Sequence, residues 1–117
     1  MGKIKEMMMQ QQEQLDDSEY FNKPKKLKLG RVVMTPGVDA LIAKNPLAYI
    51  TIAEIIRMQE NCIWGLNEYP EDKKANDEAA ASGQDRCMGV HMVGDTKVYI
   101  ITEQTRESTL LLLPEEY

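Results

Sequence analysis

The sequence predicts a small α+β domain in which a C-terminal β-meander forms an antiparallel sheet and two to three helices pack on it. Three observations predict this class. The apolar stretch 87–103 is interrupted by Gly94-Asp95, which suits a two-residue hairpin turn of type I′ or II′. A run of four leucines stops at Pro114, and a helix-like stretch begins at Pro70 and ends at a glycine. With 117 residues and 43% apolar content, the chain fits one core.

Residues 1–26 are predicted to form an appendage, made of a polar helical arm and a basic linker. The stretch 3–21 is rich in Met and Gln, which are unbranched residues that a helix tolerates. Pro24 cannot continue that helix. The folded domain is therefore expected at 27–117.

The domain is expected to open with a strand and a short helix. Residues 31–34 are apolar and partly β-branched, which is typical of a strand, and the turn sequence at 35–37 ends it. A helix is then predicted at 38–43, closed by Asn45-Pro46.

Two further helices follow in the prediction. The spacing of apolar residues at 47–59 indicates a helix, with Thr51 as its N-cap and Glu54 completing a capping box. The stretch 70–82 has proline and acidic residues in its first turn and Gly83 at its end.

In the hairpin, the turn at Gly94-Asp95 places His91 opposite Val98 and Val93 opposite Thr96. Both faces of the hairpin are then largely apolar, so we expect both to be covered. The last strand, at 109–113, is also apolar on both faces, and is therefore either central in the sheet or in contact with a partner.

From about residue 29 onward the chain resembles a family of small, uncharacterised proteins of bacterial phages and plasmids. The segments that carry the resemblance are 29–37, Trp64-Gly65, 71–76, 96–103, Thr109 and 112–117. Relatives are often labelled as restriction-modification or plasmid-related proteins. The resemblance implies a mobile-element context and no particular chemistry, because Asn45-Pro46 is not followed by the second proline of an adenine-methyltransferase clamp.

The charge distribution separates one basic segment from an otherwise acidic chain. The formal net charge is −5, which argues against broad nucleic-acid binding, because phosphate contacts need a positive surface. The segment 23–31 has five basic residues and no acidic one. These are the residues that a nucleic-acid site would use: Lys23, Lys25, Lys26, Lys28 and Arg31.

Candidate binding residues lie in and around the third helix. Asp72 and Asn76 are one helical turn apart, with Lys73 beside them, and they form a polar site if Trp64 lies near. The other interpretation is that the polar residues cap or solvate the helix and that Trp64 packs a loop on the core. Arg106, in the loop between the last two strands, is a further candidate, and a solvated charged loop is its simplest explanation.

No residue pattern indicates catalysis, a cofactor or a metal. His91 is the single histidine, and we expect it to fill one face of the sheet. Cys62 and Cys87 have no metal-binding or redox spacing and are expected to be reduced thiols in a cytoplasmic protein. The longest apolar run is too short to cross a membrane.

The sequence thus favours a non-catalytic accessory protein of a mobile element that binds an unidentified protein, with inhibition of a defence system as one specific form. The alternative is a nucleic-acid-associated regulator that uses residues 23–31. A homodimer, if there is one, is expected to form through the N-terminal arm or the C-terminal strand.

Overall fold

The computed structural model describes residues 26–66 and 69–117, and the predicted helix at 3–21 lies outside these ranges. Within them, the elements are β1 (Arg31–Met34), α1 (Pro36–Lys44), α2 (Ala48–Glu60), α3 (Pro70–Ser82), β2 (Cys87–Val93), β3 (Thr96–Thr102), β4 (Ser108–Leu112) and a 3-10 turn (Pro114–Glu116). The predicted α+β class is confirmed. None of the helices in the described ranges has the length and apolar content that a membrane crossing requires.

The four strands form one sheet in the order β1-β4-β3-β2. Strands β2, β3 and β4 are antiparallel neighbours, and the predicted register of the hairpin, with His91 opposite Val98, is confirmed. Gly94 in the turn has a positive φ of 62°, which glycine adopts without steric cost. The prediction of a purely antiparallel sheet is wrong, because β1 runs parallel to β4. Three helices and a hairpin separate these two strands, and so long a connection permits the parallel pairing.

The first N–H groups of α1 and α2 donate to acceptors that the sequence did not predict. Thr35 is the N-cap of α1 and its hydroxyl accepts from the Val38 N–H at 3.4 Å, so α1 begins two residues before the predicted position. The prediction of a Thr51 N-cap is wrong: α2 begins at Ala48, and its first N–H groups donate to the carbonyls of residues 45–47. α3 has the predicted bounds, and Gly83 ends it in the left-handed conformation.

The inner face of the sheet, defined as the side on which α1 and α2 lie, holds the main core. This cluster comprises Val38, Ala48, Ile52, Ile55, Val93, Val98, Ile100 and Leu111. A second cluster, of Leu27, Leu29, Trp64, Ala79 and Cys87, joins the start of the domain to α3 and β2. Leu27 and Leu29 are both buried in this second cluster.

The outer face of the sheet is only partly covered. Met88, Val90 and Tyr99 are half-buried there and Met92 is exposed, so the expectation of a hairpin covered on both sides is wrong. The reason is that α1 and α2 both lie on the inner face, while α3 packs mainly on β2, at one edge of the sheet.

Strand β4 is central in the sheet, which is one of the two alternatives that the sequence predicted. Leu111 lies in the inner core, whereas Leu112 is buried and Leu110 half-buried on the outer face. Both edges of β4 are occupied, by β1 and β3. A second copy therefore cannot pair with the edge of this strand.

Candidate functional site

A cleft of about 530 Å³ opens on the outer face of the sheet beside α3. Its floor is apolar and is formed by Met88, Val90 and Tyr99, which alternate with inward-facing residues along β2 and β3. Charged side chains surround this floor: Asp72, Asp85, Arg86 and Lys97. We call this region the outer-face cleft.

Asn76 forms a wall of the outer-face cleft by binding the edge of β2. Its side-chain Nδ2 donates to the Met88 carbonyl at 2.8 Å, and the Met88 N–H donates to its Oδ1 at 2.9 Å. The amide thus makes the pair of bonds that a neighbouring strand would make. Of the predicted pair, Asn76 is a structural residue, and Asp72, one turn earlier, is exposed and faces the cleft.

Trp64 is a packing residue in this structure. Only 3% of its surface is exposed, and its indole N–H donates to Asp77 Oδ1 at 2.8 Å. Its carbonyl accepts from the Val90 N–H at 2.9 Å, so the loop that holds it also covers the edge of β2. Lys73 pairs with Asp77 at 3.8 Å and does not line the cleft.

Arg106 ties two loops to the end of α3. Its guanidinium donates to the carbonyls of Ala79 at 2.7 Å, Asp85 at 2.8 Å and Glu103 at 3.0 Å. The Ala79 carbonyl lies in the last turn of α3 and also accepts from the Gly83 N–H at 2.9 Å, so Arg106 adds a second bond at this helix end. The description of this residue as a solvated loop charge is wrong, and Arg106 does not line the outer-face cleft.

Several residues of the cleft region were not among the candidates from the sequence, including Asp85 and Lys97 on its rim and three others, Leu66, Arg86 and Tyr117. Leu66 lines the cleft with 57% of its surface exposed. The Arg86 guanidinium donates to the Tyr117 hydroxyl and lies 5.6 Å from that ring, which in turn packs edge-on against Tyr99 at 5.9 Å. The alternation of β2 places Arg86 on the outer face with Met88, so that residue had a sequence signal. Tyr117 had none, because its partners are distant in the sequence.

The described part of the basic segment is exposed along one side. Lys26, Lys28 and Arg31 point to solvent, and Lys26 pairs with Glu60 at 3.7 Å. Lys23 and Lys25 lie outside the described residues. The nucleic-acid role of this segment stays a prediction.

Buried polar groups connect α2 to the sheet. Gln59 is fully buried and its Nε2 donates to the Cys87 carbonyl at 3.2 Å and to Thr102 Oγ1 at 3.1 Å. His91 fills the inner face as predicted, with 6% of its surface exposed, and burial lowers its pKa. Neither Gln59 Oε1 nor His91 Nε2 has a hydrogen-bond partner among the described residues.

The thiols are held in their protonated form. Burial raises the pKa of Cys87 to about 11 and also raises the pKa of Cys62. The thiolate is the nucleophilic form, so these environments disfavour a reactive cysteine. Across the described residues, no group of three or more His, Cys, Asp or Glu side chains is arranged to hold a metal ion.

Comparisons with protein-family models, with curated proteins and with solved structures find no match to this chain. The resemblance to phage and plasmid proteins therefore remains an expectation from the sequence.

Proposed function

We propose that this chain is a non-catalytic binding protein that contacts a partner protein at the outer-face cleft. The observation that carries the proposal is the half-buried apolar floor of Met88, Val90 and Tyr99, beside the exposed Leu66 and Met92. Apolar groups at the centre of a patch with charged groups at its rim are the usual composition of a protein interface.

The polar groups around the floor divide into two kinds. Asn76 and Arg86 have their side chains engaged in bonds within the domain, so they give the cleft a fixed shape. Asp72 and Lys97 make no ion pair among the described residues and carry opposite charges. They are the groups available to orient a partner.

The biological context of the proposal comes from the sequence. The resemblance to small phage and plasmid proteins makes a protein of the host, or of the mobile element, the partner to seek. Inhibition of a defence system by such binding is the specific form of this proposal, and it rests on the resemblance alone.

The test is a selection of binders from a displayed library of random peptides, followed by binding measurements with two variants. Leu66→Asp places a charge in the cleft, and Ile50→Asp places one on an exposed apolar residue of α2 (57% and 63% exposed). We expect selected peptides to lose affinity for Leu66→Asp and to keep it for Ile50→Asp. Amide NMR shifts on binding should centre on Met88 and Tyr99. A library that yields no binder, or binders equally tolerant of both variants, would refute the proposal.

A further inference from the structure

The two edges of the sheet differ in whether their outward main-chain groups have hydrogen-bond partners. The edge at β2 is covered: the Val90 N–H donates to the Trp64 carbonyl at 2.9 Å, and the Leu66 N–H donates to the Val90 carbonyl at 2.6 Å. The Asn76 side chain binds both main-chain groups of Met88. Covering an edge in this way prevents it from pairing with other chains.

The edge at β1 has no such cover within the described residues. The Arg31 and Thr35 N–H groups donate toward β4, to the Glu107 carbonyl at 2.9 Å and the Leu111 carbonyl at 3.0 Å. Because main-chain groups alternate in direction along a strand, those of Val32 and Met34 point away from the sheet. In the described ranges, β4 is the single neighbour of β1.

The side chains of this edge suit another strand. Val32 and Val33 are each 37% exposed, and β-branched residues pack well against the side chains of an added strand. The register with Thr109 and Leu110 places Val32 on the inner face and Val33 on the outer face, so an incoming strand meets an apolar side chain on both sides.

The charge beside this edge identifies the kind of partner. The described residues that lead into β1, 26–31, include three basic side chains, Lys26, Lys28 and Arg31, in a chain of net charge −5. Lys28 and Arg31 are exposed and form no ion pair among the described residues. Since residues 23–36 contain no Asp or Glu, a second copy aligned on β1 would bring no carboxylate from this segment to neutralise them.

We propose that the free edge of β1 accepts an extended, acidic segment of another protein, which becomes a fifth strand of the sheet. The outward main-chain groups of Val32 and Met34 supply the hydrogen bonds, and the valine side chains supply apolar contact. Lys28 and Arg31 pair with carboxylates of the added strand. This surface lies at the opposite edge of the sheet from β2 and is independent of the outer-face cleft.

The key variant is Val32→Pro, which removes an N–H that points away from β4 and so leaves the ladder with β4 intact. Val32→Thr is its matched control, because it keeps both the shape and the N–H. The probe is a library of seven-residue peptides built from Val, Ile, Thr, Asp and Glu. Each selected peptide is compared with a counterpart in which Lys replaces Asp and Glu, and with a single-stranded DNA of equal charge. Circular dichroism establishes that each variant is folded.

We expect acidic peptides to bind the full chain, to shift the amide signals of 31–34, and to keep their affinity for Val32→Thr. Val32→Pro, and separately Lys28→Glu with Arg31→Glu, should weaken binding by about tenfold or more. The proposal is overturned if no acidic peptide binds, if Val32→Pro binds as the wild type does, or if the lysine counterparts bind equally. DNA binding that matches the peptides and ignores Val32→Pro would assign the segment to nucleic acid instead. A concentration-dependent dimer, lost in Val32→Pro on sedimentation, would assign the edge to a second copy.

Discussion

Replacing Asn76 tests whether this residue holds α3 to the sheet. Asn76→Ala removes two hydrogen bonds to Met88, at 2.8 and 2.9 Å, in a part-buried place. A neutral hydrogen bond contributes about 0.5–1.5 kcal/mol net, so we expect the free energy of unfolding to fall by about 1–3 kcal/mol. In a domain of this size, the melting temperature should fall by roughly 4–8 °C for each kcal/mol.

Asn76→Asp tests the two hydrogen bonds separately, because it keeps one and removes the other. The carboxylate keeps an acceptor for the Met88 N–H but places a negative oxygen against the Met88 carbonyl. At neutral pH this variant should be less stable than Asn76→Ala. Below about pH 4 the protonated carboxyl can donate to that carbonyl, so the difference between the two variants should shrink.

The assay is urea denaturation of the wild type and the variants at matched pH values. Glu78→Ala, on an exposed position of the same helix, is the control and should change the free energy of unfolding by less than about 0.5 kcal/mol. Two results together would show that Asn76 does not hold the helix in place. The first is that Asn76→Ala lowers the free energy of unfolding by no more than Glu78→Ala does. The second is that the difference in free energy of unfolding between Asn76→Asp and Asn76→Ala does not change with pH.

Three further changes test the scaffold. Arg106→Lys should lower the free energy of unfolding by about 1–3 kcal/mol in urea denaturation, because one ammonium group cannot replace a planar guanidinium that bonds three carbonyls. Burial lowers the pKa of His91 from 6.5, so the unfolded chain binds the proton more strongly and stability should fall as the pH drops below 6.5, by up to ~1.4 kcal/mol per pH unit. His91→Gln should remove that slope, and an unchanged slope would contradict the assignment. Hydrogen bonds from Thr35 Oγ1 at 2.5 Å and from main-chain N–H groups lower the pKa of Glu116. The ionised carboxylate therefore stabilises the fold at neutral pH, and this stabilisation should be lost as the pH falls below 4.5. Glu116→Gln should reduce the dependence of the free energy of unfolding on pH below 4.5 and leave it unchanged at higher pH.

The elements that the sequence predicted well are those whose signals are local. The hairpin has its turn, its alternation and its partner within 17 residues, 87–103, so register and tip follow from one another. α3 has a proline at its start and a glycine at its end. The bounds predicted for α2, 47–59, lie within one residue of those observed, but the predicted cap was wrong, because the carbonyls of 45–47 and not Thr51 accept from the first N–H groups.

The pairing of β1 was beyond the sequence analysis because its partner lies almost at the other end of the chain. The residues at 31–34 indicate a strand, but nothing in them specifies that they lie beside β4 or run parallel to it. The consequence for function is large. This pairing makes β4 central and leaves the outward groups of Val32 and Met34 without a partner in the described residues.

The candidate site was predicted unevenly for a related reason. Asp72 and Asn76 both line the outer-face cleft, but Asn76 and Arg106 are held by bonds to main-chain groups 12 and 27 residues away. A main-chain carbonyl carries no residue type, so no pattern of side chains can reveal such a partner. Leu66 follows Trp64-Gly65 directly. The tryptophan was the predicted binding residue of this loop, but Trp64 is buried and Leu66 is the side chain that is exposed.

The polar residues of α3 both stabilise the fold and shape the candidate site. This helix buries one alanine and one asparagine, so apolar contact contributes little to its attachment. The bonds of Asn76 to Met88, of Trp64 to Asp77 and of Arg106 to Ala79 hold it against β2. The same bonds set the position of Asp72 on the rim of the cleft and cover the β2 edge. Stability and the shape of the proposed binding surface therefore depend on the same side chains, and a variant that loosens α3 should change both.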